Sequence, residues 1–424
     1  MELSLTHLGA DLTSRIERIA AVSREHAVPT YLVGGFVRDL LLERENRDLD
    51  VVVEGDGILL ATRLAEAFGG QVRTHPAFLT AVVVDPEGFH VDVATSRSEI
   101  YRAPAALPEV QPSELRQDLF RRDFTINTLA VRLGPEPGLE LIDLFGGGRD
   151  LREKTLRVLH DRSFLDDPTR ILRAVRLELR LGFRISPETL DLAGAALAEG
   201  VFDRLSGSRL RDELAKLFAD PALALLGIDR LAELGVLRAI DPLLELGDAV
   251  RERLRQAWAA DPPYPPTYPP IQPWRLFLMA LASRFGQEDL ERLAGRLLLA
   301  GEDRLLLTGF PSRLEAARGA LQGEPAPHAA AEALERLARE ELLLLMGEGD
   351  ERVRVWIRRY LTELRPLTLS LRGADLLAAG VPPGPRIGEA LRATRRARLD
   401  GRIDAAGELR YALDSLTMNA RRTA

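Results

Sequence analysis

The chain has 424 residues, 57 lysines and arginines against 64 acids, a net charge of −7 and no cysteine. That length calls for two to four domains rather than one core. The absence of cysteine excludes disulfides, thiolate catalysis and thiolate zinc sites. An acidic total also means that any contact with nucleic acid depends on local clusters of arginine.

The N-terminal stretch 10–27 has the apolar spacing of an amphipathic helix. Strands are predicted near 30–33, 48–53, 80–84 and 89–94, alternating with helices near 36–43 and 57–68. Strands interleaved with helices predict a small mixed sheet. Between the first two strands lies Gly34-Gly35-Phe36-Val37-Arg38-Asp39, a tight turn entering a helix whose amides favour anions. Asp48 and Asp50 then alternate along the second strand and point to one face. Two carboxylates side by side need a cation, and magnesium bridging a triphosphate and an attacking hydroxyl meets that need. A lone Asp-x-Asp reads equally as a solvated strand end, and it is the preceding glycine turn that favours chemistry. Asp92, within Phe89-His90-Val91-Asp92-Val93, shares a face with His90 and Ala94, while Arg97 and Glu99 read as a surface pair.

Arg121-Arg122-Asp123 is followed by an expected helix over 124–131, which makes Asp123 its N-cap and puts Asn127 one turn on. Asp143-Leu144-Phe145-Gly146-Gly147-Gly148-Arg149-Asp150-Leu151 comes next, then Asp166-Asp167-Pro168-Thr169-Arg170 opening a helix that carries Arg173 and Arg176. Beyond 150 the spacing is helical almost throughout. The exception is 261–274, where prolines favour a stiff extended linker. Arginines bunch again at 392–398, including Arg392, Arg395 and Arg396, and a solvated helix face explains them as well as RNA does. No run of 18 apolar residues or signal-peptide pattern occurs, so a cytoplasmic protein without membrane contact is expected.

In order and type, these motifs resemble the class II tRNA nucleotidyltransferases (CCA-adding enzymes) and bacterial poly(A) polymerases of the polymerase beta-like superfamily. The resemblance is strong over about 25–240 and weaker at 373–413. It implies an α+β nucleotidyltransferase head at 1–150, a helical neck with the base template at 151–260, the linker at 261–274, and a helical body and tail at 275–424. It implies Asp48 and Asp50 as magnesium ligands and Asp92 as a third catalytic carboxylate. Gly34, Gly35, Arg38, Arg122, Asp123, Asn127, Asp167, Arg170, Arg173 and Arg176 are implied to bind the nucleotide, and Arg392, Arg395 and Arg396 the RNA. Asp166 stands where glutamate is commoner and is expected only to cap the helix.

Arginine beside a carboxylate matches the acceptor–amino edge shared by cytosine and adenine and mismatches uracil and guanine. The expected reaction is addition of C, A or both from CTP and ATP to a tRNA 3′ end. The motifs do not choose among CCA, CC and A. Poly(A) polymerase remains the enzymatic alternative, and a catalytically silent RNA-binding module the non-enzymatic one. The intact Asp-x-Asp speaks against the latter.

Overall fold

The structure, a computed structural model, describes residues 8–106, 108–134, 139–260, 270–348 and 350–422. Contacts divide the chain into two compact units, Met1–Glu213 with Glu233–Ile240, and Leu214–Ala232 with Asp241–Ala424.

In the first unit, helix α1 (Ala10–Glu25) buries Leu12, Ile16 and Ile19, its three- and four-residue stripe. A seven-stranded mixed sheet carries the site. Its strands are β1 (Thr30–Val33), β2 (Leu49–Val53), β3 (Gln71–His75), β4 (Thr80–Val84) and β5 (His90–Thr95), completed by Ala130–Gly134 and Glu140–Ile142. Between these in the chain, β6 (Arg97–Ile100) and β7 (Glu109–Pro112) form a separate antiparallel ribbon. The last two sheet strands are accordingly β8 and β9, and the order is β3-β4-β5-β2-β1-β8-β9. β2 runs parallel to β5, and β1 is antiparallel to both β2 and β8. All four β1 residues are buried, as a central strand requires. Helices α2 (Gly35–Leu41) and α3 (Gly57–Phe68) follow β1 and β2.

The helix expected over 124–131 does not form. Thr125–Asn127 is a single 3₁₀ turn, and Ala130–Gly134 joins the sheet between β1 and β9. Two flanking strands offer Ala130–Gly134 a backbone ladder on each side, which outweighs local helical spacing. The Asp143–Asp150 motif supports this turn. Asp143 accepts the amides of Gly147 and Gly148, buried Asp150 accepts the Thr125 hydroxyl at 2.7 Å, and a Cβ at Gly147 would stand 2.3 Å from the Thr125 carbonyl.

Among its described residues, every regular element of the second unit is a helix. Phe218 and Phe277 stack at 4.6 Å, and Leu342–Met346 is buried on every side of the helix Arg339–Gly347. Near its end, Leu376, Ala390, Ala412 and Leu416 form a small core of their own. Of the proline-rich stretch, 261–269 lies outside the described residues. Pro273 is already the first residue of the helix Pro273–Leu281, a position that tolerates a missing N–H. Among the described residues, no helix is long and apolar enough to cross a membrane.

Candidate active site

Gly34 ends β1 with φ +73°, and a Cβ there would lie 2.9 Å from Arg122 Nη1 and 3.3 Å from Asp50 Oδ2. Both the backbone conformation and the close approach require glycine. Asp48 is exposed just before β2, its amide held by Asn46 Oδ1 at 2.8 Å. Asp50 is half-buried within β2 and in register with Asp92 on parallel β5, so both carboxylates rise from one sheet face. Burial pushes the Asp50 carboxyl up to about 6; Arg122 opposes that shift, while Asp48 and Asp92 add to it. Asp92 is raised as well, by burial and then by Asp48.

The Arg121-Arg122 pair is organised by Asp118, a fully buried acid. Its Oδ1 accepts Arg121 Nη2 at 2.8 Å and its Oδ2 accepts Arg122 Nη2 at 3.0 Å; Glu99 takes Arg121 Nη1 at 2.7 Å. Arg122 Nη1 is thereby left pointing at the glycine turn.

Asp123 caps no helix, because none follows. It accepts Asn127 Nδ2 at 2.8 Å and both Nε and Nη2 of Arg173, at 2.9 and 2.6 Å. Burial alone would raise its carboxyl, but Arg173, Asn127 and Arg170 bring it down to about 2.

Arg38 packs against the glycine turn, where a Cβ at Gly35 would lie 3.5 Å from its Nη2. It is buried, with Nε and Nη2 on Asp39 at 2.8 Å each and Nη1 on Asn127 Oδ1 at 2.7 Å, so it positions Asn127.

Asp167 and Arg170 do not pair with each other. Asp167 precedes α-helical geometry, which begins at Thr169 and runs to Leu181; its Oδ1 accepts Thr169 N at 3.0 Å and Arg209 Nη2 at 2.7 Å. Pro168 stands at the N-cap with no side-chain cap, Asp167 receives the first helical amide from the position before it, and Asp166 lies 3.6 Å from Arg162. Buried Arg170 gives Nη1 to Ser163 Oγ at 2.7 Å and Nη2 to the Arg121 carbonyl at 2.6 Å. Each side chain is thus oriented by a third party while both line the same cavity. Each Nη keeps a second N–H.

That cavity has a volume of about 290 Å³ and brings together Gly34, Gly35, Asp50, Arg122, Asp123, Asn127, Asp167, Arg170 and Arg173, with Glu99, Tyr101 and Arg121. Arg176 is not among its walls and reaches Glu213 at 3.5 Å.

Residues 30–157 match the poly A polymerase head domain family. An A-adding tRNA nucleotidyltransferase of Geobacter sulfurreducens is 40% identical over 93% of this chain and 46% of its own length. A CC-adding tRNA nucleotidyltransferase of Deinococcus radiodurans is 35% identical over 90% of this chain and 88% of its own. The chain belongs to the tRNA nucleotidyltransferase family. The solved Thermotoga maritima CCA-adding enzyme complexed with tRNA superposes with a TM-score of 0.78 at 29% identity, covering 98% of this chain and 99% of that one. The chain spans less than half the length of three A-adding relatives it matches.

Against this tRNA nucleotidyltransferase frame, sequence reasoning missed Asp118, Glu99, Tyr101, Ser163 and Arg209. Only Asp118 had a local signal, since it stands three and four residues before the two arginines. Glu99 pairs with Arg121 and accepts the Tyr101 hydroxyl at 2.7 Å, not Arg97 as expected. In the second unit, Arg395 is held by Glu335 at 2.9 Å and Arg396 by Glu332 at 2.6 Å, which ties the helix Pro385–Leu399 to the helix Pro327–Leu334. The two arginines are therefore paired cations rather than bare solvated ones. Arg392 lies on the same helix.

Proposed function

We propose that this chain adds C, A or both to the 3′ end of tRNA from CTP and ATP, without a nucleic-acid template. The observation that carries the reading is the single cavity running from Gly34 and Asp50 to Asp167 and Arg170. One end suits a triphosphate and the other a nucleobase edge. A relative solved in complex with tRNA matches this chain almost end to end, which supports tRNA as partner.

The residues fit magnesium. Among the described residues no three acidic or histidine side chains converge as a full ligand set, which suits an ion that takes one or two carboxylates and completes its shell with phosphate oxygens. Asp48 and Asp50 would hold it, and a cation would offset both the burial that raises Asp50 and the smaller repulsion from Asp48 and Asp92. When bound, the ion supplies positive charge to the reacting phosphate and the departing pyrophosphate.

The chain's own groups do the rest. The Gly34 turn and Arg122 hold the phosphates, and Asp123, Asn127 and Arg173 form the wall against the sugar. Asp167 accepts from the exocyclic amino group while Arg170 donates to the ring nitrogen. The 3′ hydroxyl oxygen bonds the α-phosphorus as the bond to the β-phosphate oxygen breaks, and pyrophosphate leaves with the electron pair. Asp92, raised by burial and opposite Asp50, accepts the hydroxyl proton.

The test is incubation of the purified chain with tRNA transcripts that are complete, lack only the terminal A, or lack the whole CCA, each with single NTPs, resolving products at single-nucleotide length. Extension by CTP or ATP and not by UTP or GTP is expected. Long homopolymeric A tails would make it a poly(A) polymerase, and no extension of any RNA would overturn the reading.

A further inference from the structure

On the other side of Asp50 and Arg122 lies a second cavity, of about 270 Å³, which shares Asp50, Arg121 and Arg122 with the first but is lined by Asp92, Thr80, Val82 and Arg97 instead of the glycine turn. Arg97 opens β6, directly after the strand that carries Asp92. Its Nη1 donates to the carbonyl of Phe78, on an exposed turn, and its Nε is buried without a hydrogen-bond partner. Among the described residues it ion-pairs with no carboxylate, whereas its neighbours Arg121 and Arg122 are both held by Asp118 and Glu99. The cavity thus sets three guanidiniums beside Asp50 and Asp92, and Arg97 is the one of the three without an ion pair among the described residues. Burial, and then Arg121, depress the Arg97 pKa, while Glu99 and Asp118 oppose that shift.

In-line displacement decides which anion. The entering oxygen approaches the α-phosphorus opposite the departing pyrophosphate. With the triphosphate at the glycine turn, the acceptor strand must enter through the cavity that holds Asp92. We propose that Arg97 grips the last phosphodiester of the acceptor RNA, one nucleotide back from the hydroxyl that reacts. Guanidinium suits this role because it is always charged and can meet two phosphate oxygens at once. The inference rests on the nucleotidyltransferase reading above.

The test pairs Arg97→Ala with an acceptor minihelix whose last phosphodiester is a neutral methylphosphonate. In the wild type, the methylphosphonate should lower kcat/KM for the acceptor about tenfold, the worth of one charge-assisted hydrogen bond. Arg97→Ala should lose a similar factor on the normal acceptor, lose nothing further on the methylphosphonate, and leave the KM for the nucleotide unchanged. Arg97→Lys should recover part of the loss. Should Arg97→Ala fold poorly, Arg97→Gln, which keeps the stem and a donor, carries the same comparison. Multiplicative losses from the two changes, a raised KM for the nucleotide, or a wild type indifferent to the methylphosphonate would each overturn the assignment. A wild type that extends RNA beside an unaffected variant sinks this inference alone, whereas a wild type that extends no RNA removes the function with it.

Discussion

Arginines cluster in both units, yet the two clusters are built differently. In the head, Asp118 is fully buried and fixes Arg121 and Arg122 from behind, so that the cations present their remaining N–H groups to a cavity. In the helix Pro385–Leu399, Arg395 and Arg396 meet half-exposed glutamates one for one. Density of arginine therefore does not locate an anion site. What sets the head cluster apart is a buried acid that holds each guanidinium in one orientation at a cavity wall.

The largest effect is expected where acids crowd without a cation. Asp48→Ala or Asp50→Ala should abolish nucleotide transfer, a loss on the order of several kcal/mol of transition-state stabilisation, while tRNA affinity stays within a few-fold. Single-turnover extension and filter binding measure the two separately, and a tenth of wild-type turnover in both variants would refute the assignment.

Asp118→Ala tests the buried side of the comparison. Removing the acid strands the largely buried Arg122 and leaves Arg121 with Glu99 alone, at a cost of about 3–5 kcal/mol, read as a lower Tm and denaturation midpoint. The matching change Glu335→Ala should move neither appreciably. Equal shifts would erase the distinction between the two clusters.

Arg170→Ala should relax discrimination against U and G by about 1–3 kcal/mol. Because Arg170 also holds Ser163 and the Arg121 carbonyl, efficiency ratios among the four nucleotides are the proper measure. A uniform slowing would make the residue structural.

The pH dependence follows from Asp50, whose carboxyl is raised from 3.8 to about 6. Below that pH magnesium must displace a proton, so its affinity should fall about tenfold per unit of further acidification. In the metal-free chain the folded state holds this proton more tightly than the unfolded one. Its contribution to stability is therefore greatest at low pH and is lost as pH rises through about 6. Calorimetric titration with magnesium at about pH 7.5 and about pH 5.5 checks the sign; equal affinities would mean that Asp50 is ionised throughout.

The smallest effect belongs to the tail. Arg395→Ala with Arg396→Ala should cost less than about 1 kcal/mol of stability per pair, as exposed ion pairs do. Whole-tRNA affinity should change no more than about threefold, since Glu335 and Glu332 already offset the charge of these two side chains. A larger loss on whole tRNA than on a minihelix would restore them as RNA ligands.

Local pattern determined much of the head. Alternation and valine content identify β1, β2, β4 and β5, because side-chain period is a property of the strand itself. For the same reason the glycine turn and the shared face of Asp48 and Asp50 can be read without a fold, and the ordered motifs identify the family. Tertiary structure decided how the polar groups are used. Ala130–Gly134 became a strand because β1 and β9 flank it, which helical spacing could not reveal. Arg38 is claimed by Asn127 across 89 positions of sequence, Arg173 by Asp123 across 50, and Asp167 by Arg209 across 42. Hydrogen-bond partners at such separations leave no periodic trace. A guanidinium's role follows from which carboxylate the fold brings to it, and only the folded sheet sets Arg97, without an ion pair among the described residues, beside Arg121 and Arg122, which Asp118 holds.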